Sequence, residues 1–415
     1  MSRVAETLVP ARLGRPFRWL LASSWVSNLG DGVVLAAGPL LVASLTDDAR
    51  LVALGATLQW LPPLLFSLVA GVISDRFDRW RVLVTGNVVR VVVLGVLATA
   101  VLTGHVSIAI VLVVLFLLGC AEVFVDNTSS TLVPMLVDRK DLAVANARVM
   151  TGVITLNQLA GPPLGAALFA LGHAWPFASQ VLLVLAALVL LSRVRLPAVE
   201  RVGERRRARH DLAEGLRWAV SHPAVRTLVL TIFSFNITFG AAWAVLVLYA
   251  QRQLGLGEIG FGLITTMGAA GGLLGTACYG WLTRRLTLGA IMRIGLIIET
   301  LTHIGLAATR VPWVAMVIFV VFGAHAFVWG TTSATIRQRV VPIPLQGRVN
   351  GVNSLGVFGG LVLGSTLGGF LAERFTVAAP FWFAGIGSAI FVVLIWRQLR
   401  HLDQGDEPAE DAASA

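Results

Sequence analysis

The chain has 415 residues, of which 56% are hydrophobic and 13% charged, with a formal charge of +10. Soluble domains carry about 25% charged residues and lack long apolar runs, so a soluble globular protein is excluded and the bilayer is the expected solvent. The basic residues lie between apolar runs rather than on one solvated face with base-reading or stacking groups, which argues against a nucleic-acid partner.

In chain order, apolar stretches long enough to cross about 30 Å of hydrocarbon predict twelve membrane helices, near 17–45, 51–74, 82–103, 106–132, 143–171, 174–194, 225–250, 258–282, 288–308, 312–336, 349–371 and 379–396. The run after Arg12 and Arg15 is too long for a signal peptide and no small-residue cleavage site follows it, so the first helix is expected to be retained. Arg and Lys concentrate in alternate connections: the N-terminus, Arg76/Arg79/Arg81, Arg139/Lys140/Arg148, the stretch from Arg193 to Arg226, Arg284/Arg285, Arg337/Arg339/Arg348 and Arg397/Arg400. The other set offers only Arg50, Arg252, Arg310 and Arg374. That bias predicts a multi-pass protein of the bacterial inner membrane with both termini in the cytoplasm. Cys120 and Cys278 lie inside apolar runs, which supports neither a disulfide framework nor a Cys-based metal site.

The polar segment 197–224 divides the spans six and six. It reads as a cytoplasmic linker, its arginines Arg205, Arg206, Arg207 and Arg209 serving as a solvated loop or as an anionic-lipid contact. The expected organisation is an N-terminal six-helix bundle (1–196), the linker, a C-terminal bundle (225–398) and a disordered cytoplasmic tail (399–415). Adding 209 maps Gly71, Arg76 and Gly86 onto Gly280, Arg285 and Gly295; adding 204 maps Asn146, Pro176 and Phe177 onto Asn350, Pro380 and Phe381. A repeat in the same orientation implies two bundles related by an axis along the membrane normal, an all-α integral membrane architecture of the rocking-transporter type.

Between the second and third spans stands Gly71-Val-Ile-Ser-Asp75-Arg76-Phe-Asp78-Arg79-Trp80-Arg81. Gly71 would let helices approach closely, and Asp75 ends a helix at its negative pole, where Arg76, Arg79, Arg81 or the start of the eleventh span near Asn350 could compensate it. The cluster reads as a conformational latch. It resembles the loop signature of the major facilitator superfamily, with Asp78 in place of the usual Gly and Trp80 in place of a basic residue. In the fifth span, Gly161-Pro162-Pro163-Leu164-Gly165 is similar to the core of the drug–proton antiporter signature of that superfamily, with Asn157 where a glycine is expected. Proline removes a backbone donor and kinks a helix, so Gly161, Pro162 and Gly165 mark an expected kinked gating helix. Ser27 to Gly32, Leu132 to Ala147, Ala213 to Pro223 and Arg337 to Val349 resemble the macrolide-efflux and siderophore-exporter branch. The resemblance implies a proton-driven exporter of a drug, siderophore or other secondary metabolite working by alternating access, with an importer or uniporter as the alternative on the same fold.

Ionisable residues at membrane depth are costly and usually mark a pathway. Asp31, about 14 residues into the first span and flanked by Gly30 and Gly32, is the leading proton-coupling or cation-recognising group, its glycines keeping the carboxyl open to a cavity. Arg90 in the third span needs a counter-charge, which Glu122 or Asp126 on the fourth can supply. At the equivalent of Arg90 in the second half, Glu299 precedes His303 by one helical turn, which reads either as a second titrating pair or as a buried histidine that merely hydrogen-bonds. His325, Asn157, Gln158, Gln59 and Asn236 could line a cavity or tie helices together, and Trp243, Phe327 and Trp329 receive no role. A G-x-x-x-x-G-K-[ST] loop is absent, which argues against direct ATP use. No catalytic, cofactor or metal-ligand cluster is apparent, so neither an enzyme nor a membrane sensor or scaffold is favoured. The expected working unit is a monomer with a small-molecule substrate, protons and the lipid bilayer as partners.

Overall fold

The computed structural model describes residues 11–194 and 208–399, which are helical with no strand among them. The first four helices are α1 (Gly14–Leu45), α2 (Ala49–Arg76), α3 (Arg79–Leu102) and α4 (Ile108–Ser130). The fifth span is α5 (Leu142–Gly152), a π-helical segment (Val153–Ala160) and α6 (Gly161–Leu171); α7 (Trp175–Leu191) follows. After α8 (Ala208–Ser221) come α9 (Pro223–Trp243), α10 (Glu258–Leu282), α11 (Leu288–Ala308), α12 (Pro312–Val340), α13 (Gln346–Arg374) and α14 (Ala379–Ile395). Ten segments of the described residues are long and apolar enough to cross a membrane. The remaining two predicted spans are the 17-residue apolar helices α7 and α14, at the short end of what crosses a bilayer.

Several starts follow from local chemistry. Asp78 accepts from the Arg81 amide at 3.0 Å and Thr287 from the Ala290 amide at 3.1 Å, satisfying amides that have no intrahelical partner. Proline opens α7, α9, α12 and α14, where its missing donor costs nothing. The predicted seventh span, 225–250, is not one helix: α9 ends at Trp243, and a short turn (Leu246–Leu248) leads into a π-helical turn (Tyr249–Gln253).

The described residues form two compact units. The first holds those up to Thr46, those from Leu61 to 194, and Glu258–Thr266; the second holds Asp47–Trp60, 208–257 and 267–399. In the first, α1 and the fifth span lie backbone to backbone: a Cβ on Gly32 would overlap the Asn157 carbonyl oxygen, and one on Gly165 the Val33 carbonyl oxygen. In the second, Gly364 and Gly368 of α13 meet the Ile237 and Ala241 carbonyls of α9 in the same way. Such small-residue seams are how helices pack where lipid is as apolar as the protein.

The segment read as a linker contains α8, and α8 is docked. Glu214 pairs with Arg348 at 2.7 Å, a Cβ on Gly215 would lie 2.7 Å from the Arg348 backbone, and Ala219 packs with Val225, Val341, Val349 and Val352. The side chains of the arginine cluster at 205–209 and the tail at 400–415 lie outside the described residues.

Candidate functional site

The first unit encloses a cavity of about 390 Å³ whose polar lining includes Asn28, Asp31, Asn87, Glu122, Asp126 and Asn157. Helix α1 supplies Asp31, α3 supplies Asn87, α4 supplies Glu122 and Asp126, and the π-helical segment supplies Asn157. Behind this lining Arg90 of α3 is 1% exposed. Its guanidinium donates to the Asp31 carboxylate, to Ser27 Oγ at 3.1 Å and to Asn87 Oδ1 at 3.1 Å, and lies 3.8 Å from Glu122. Asp31 also accepts from Gln180 Nε2 at 3.1 Å.

The expected pairing of Arg90 with α4 is therefore the weaker of two: its first partner is Asp31 on α1, Glu122 stands second, and Asp126 opens on the cavity with no ion-pair partner among the described residues. Gly32 does something other than expected. It admits the Asn157 backbone against α1, so it sets a helix contact rather than the openness of Asp31. Asn87 and Gln180 do not stand out in the sequence and Ser27 does so only within the Ser27–Gly32 resemblance, although Ser27 lies four residues before Asp31 and Asn87 three before Arg90, spacings that share a helix face. With two carboxylates on one buried guanidinium and a third on the same cavity, a carboxylate can leave the cation for a proton or a cationic group while another keeps it compensated.

The second unit holds a smaller cluster. Glu299 of α11 lies 3.2 Å from Nε2 of His325 on α12 and 3.8 Å from Nε2 of His303, one turn along its own helix. The expected neighbour His303 is thus beyond hydrogen-bond distance, and His325, read as a cavity or glue residue, is the bonded partner. Trp243, to which no role was given, stands edge-on to His303, and Phe322 stands edge-on to His325.

Residues 5–414 match the family described as transmembrane secretion effector. The chain belongs to this family of major facilitator superfamily transporters. Among curated proteins it is similar to the enterobactin exporter EntS of Salmonella typhimurium, 26% identical over 411 residues covering 95% of each chain, and to that of Shigella boydii, 27% identical over 393 residues covering 91% of this chain and 90% of the relative. Its fold is similar to that of the nucleoside transporter NupG (TM-score 0.69, 13% identity, 94% of this chain and 99% of that one). A bacterial homologue of the iron transporter ferroportin in an inward-facing state is also similar (TM-score 0.72, 18% identity, 93% and 98%). As a member of this family the protein is a multi-pass membrane transporter of small molecules.

Within this transporter the latch loop departs from expectation in two places. A Cβ on Gly71 would meet nothing within 4 Å, so the close approach expected there is not made. Asp78, the departure from the superfamily signature, caps α3. Arg76 and Arg81 are exposed, Arg79 donates to the Met135 sulfur at 3.0 Å, Asn350 is exposed at the start of α13, and the Asp75 side chain lies outside the described residues. In the fifth span, Pro162 and Pro163 follow a π-helical segment rather than a simple kink. Pro163 cannot donate to the Leu159 carbonyl four residues back, and the Thr266 hydroxyl of α10, which donates at 2.9 Å to the Gly262 carbonyl of its own helix, also lies 3.3 Å from it.

Proposed function

We propose that this transporter exports a small molecule from the bacterial cytoplasm by proton antiport, with Asp31, Arg90, Glu122 and Asp126 as the coupling site. The single observation that carries the reading is the cavity of about 390 Å³ walled by three carboxylates, two of them paired with one buried guanidinium. A proton entering from the outer side neutralises one carboxyl and loosens its hold on Arg90; substrate entering from the cytoplasm favours the proton's release. Differential affinity of that kind is what shifts an alternating-access equilibrium. Two bundles, 1–196 and 225–398, joined by the 197–224 linker, are the moving bodies in this reading, and the arginine bias sets both termini in the cytoplasm. The secretion-effector family and the exporter relatives support the outward direction, and the relatives make enterobactin the first substrate to test.

The experiment uses everted membrane vesicles with an acid interior and an internal pH dye. Addition of enterobactin is expected to alkalinise the lumen with wild type, and at least tenfold more slowly with Asp31→Asn. Uptake of substrate without proton movement, or normal coupling in Asp31→Asn, overturns the assignment.

A further inference from the structure

Glu299 is shielded from solvent, with 14% of its side chain exposed, and the ring of His303 is fully buried. The helices around them bring little other charge. On α11 the other charged residue is Arg293, six positions before Glu299 and about 9 Å away along the axis. On α12, Arg337 and Arg339 lie at least twelve positions beyond His325, about 18 Å. Helix α14 has no titratable residue, α9 has only Arg226, exposed near its start, and α10 has Glu258 at its first residue with Cys278 and Tyr279 near its last. Tyr279 accepts a hydrogen bond from Thr332. The carboxylate therefore faces two imidazoles and no fixed cation.

From this arrangement we infer that Glu299, His303 and His325 form a proton-binding site of the second unit, separate from the Asp31 site, which holds one exchangeable proton. With Glu299 ionised, the 3.2 Å bond requires the hydrogen of a neutral His325 to sit on Nε2. Nδ1 of His325 is buried and has no protein partner, so a proton delivered from hydronium, which leaves as water, can add there without breaking that bond, giving an imidazolium–carboxylate pair; the reverse step returns the proton to a water as hydronium and changes no other bond. His303, also without a hydrogen-bond partner on either nitrogen, is the alternative acceptor. A second proton would leave a buried imidazolium without a counter-charge, which fixes the capacity at one. Among the described residues no three His, Cys, Asp or Glu side chains are placed to hold a metal ion. The site rests on the transport reading only for its use in turnover.

The test is histidine NMR of the full chain, ¹⁵N-labelled on imidazole and held in lipid nanodiscs, with His303→Gln and His325→Gln assigning the two rings. On acidification from about pH 8 to 5, one imidazolium is expected in wild type, on His325 or shared with His303. In Glu299→Gln the imidazolium population at the same pH is expected to fall at least tenfold. Two neutral rings at every pH in wild type overturn the site without recourse to any variant. Two imidazoliums at once, or a titration indifferent to Glu299→Gln, also overturn it. The readout needs no substrate, so a titrating cluster beside vesicles that move no protons would retire the antiport reading and leave this site standing.

Discussion

The two ionisable clusters are built with opposite signs. At the position of the first unit's buried cation, Arg90, the repeat offset of 209 places the second unit's carboxylate, Glu299. Across from Arg90 stands the carboxylate Glu122, and across from Glu299 stands the imidazole His325. The difference lies in which group can change its charge. A guanidinium cannot be deprotonated in a protein, so the first cluster must keep a carboxylate ionised whatever the pH. The second has no permanent charge, and the proton it takes up makes it neutral overall as an imidazolium–carboxylate pair.

That contrast makes removing a partner far more damaging in the first cluster. The largest effect is expected for Asp31→Leu, which leaves Arg90 with the more distant Glu122 as its sole ion-pair partner among the described residues and should cost about 3 to 5 kcal/mol, read as a fall in thermal midpoint of the detergent-solubilised protein. The double variant Asp31→Leu/Arg90→Met should recover most of that loss; a double variant no better than the single would mean that packing, not charge, dominates there. Next comes Gly32→Ala. Its new methyl would strike the Asn157 backbone, which cannot rotate away, for an expected cost of about 1 to 3 kcal/mol.

The glycine behind the second cluster, Gly295, faces side chains instead: a Cβ there would lie 2.8 Å from the Trp329 ring and 3.0 Å from His325 Nδ1. Rings can shift, so Gly295→Ala should cost less than Gly32→Ala, about 1 kcal/mol, while disturbing the His325 resonances. Equal losses at the two glycines would erase the distinction between backbone and side-chain contact. The smallest stability effect is expected for Glu299→Gln, about 1 kcal/mol or less, because the amide oxygen still accepts from His325 Nε2; a loss as large as that of Asp31→Leu would show that the second cluster also holds a fixed charge.

The spans were legible because hydrocarbon thickness imposes a length on every crossing helix, and all twelve predicted stretches contain helix. The break after Trp243 was not, since residues 244–250 are as apolar as those before them and hydropathy does not distinguish a helix from an interrupted one. Of the first site, the residues were legible one at a time, because a charged group in an apolar run stands out. Their pairing was not: Asp31 and Arg90 are 59 positions apart, and choosing Asp31 over Glu122 requires knowing which faces of α1, α3 and α4 converge. The pairing of His325 with Glu299 is hidden in the sequence for a similar reason. Helical spacing points from Glu299 to His303, whereas the shorter contact crosses to another helix. The docking of α8 depends on Gly215 meeting the Arg348 backbone, a contact that composition reads only as a polar linker.

The bond from Thr266 to the Leu159 carbonyl bears on how the chain is made. In the hydrocarbon core backbone polar groups need protein partners, and Pro163 withholds the donor that an α-helix would give to Leu159. The hydroxyl that serves it lies 107 residues further along the chain. At roughly 5 to 20 residues per second of synthesis, the fifth span enters the membrane several seconds before that hydroxyl exists. The span is thus inserted before the hydroxyl that approaches its Leu159 carbonyl exists, and that contact dates from the arrival of α10.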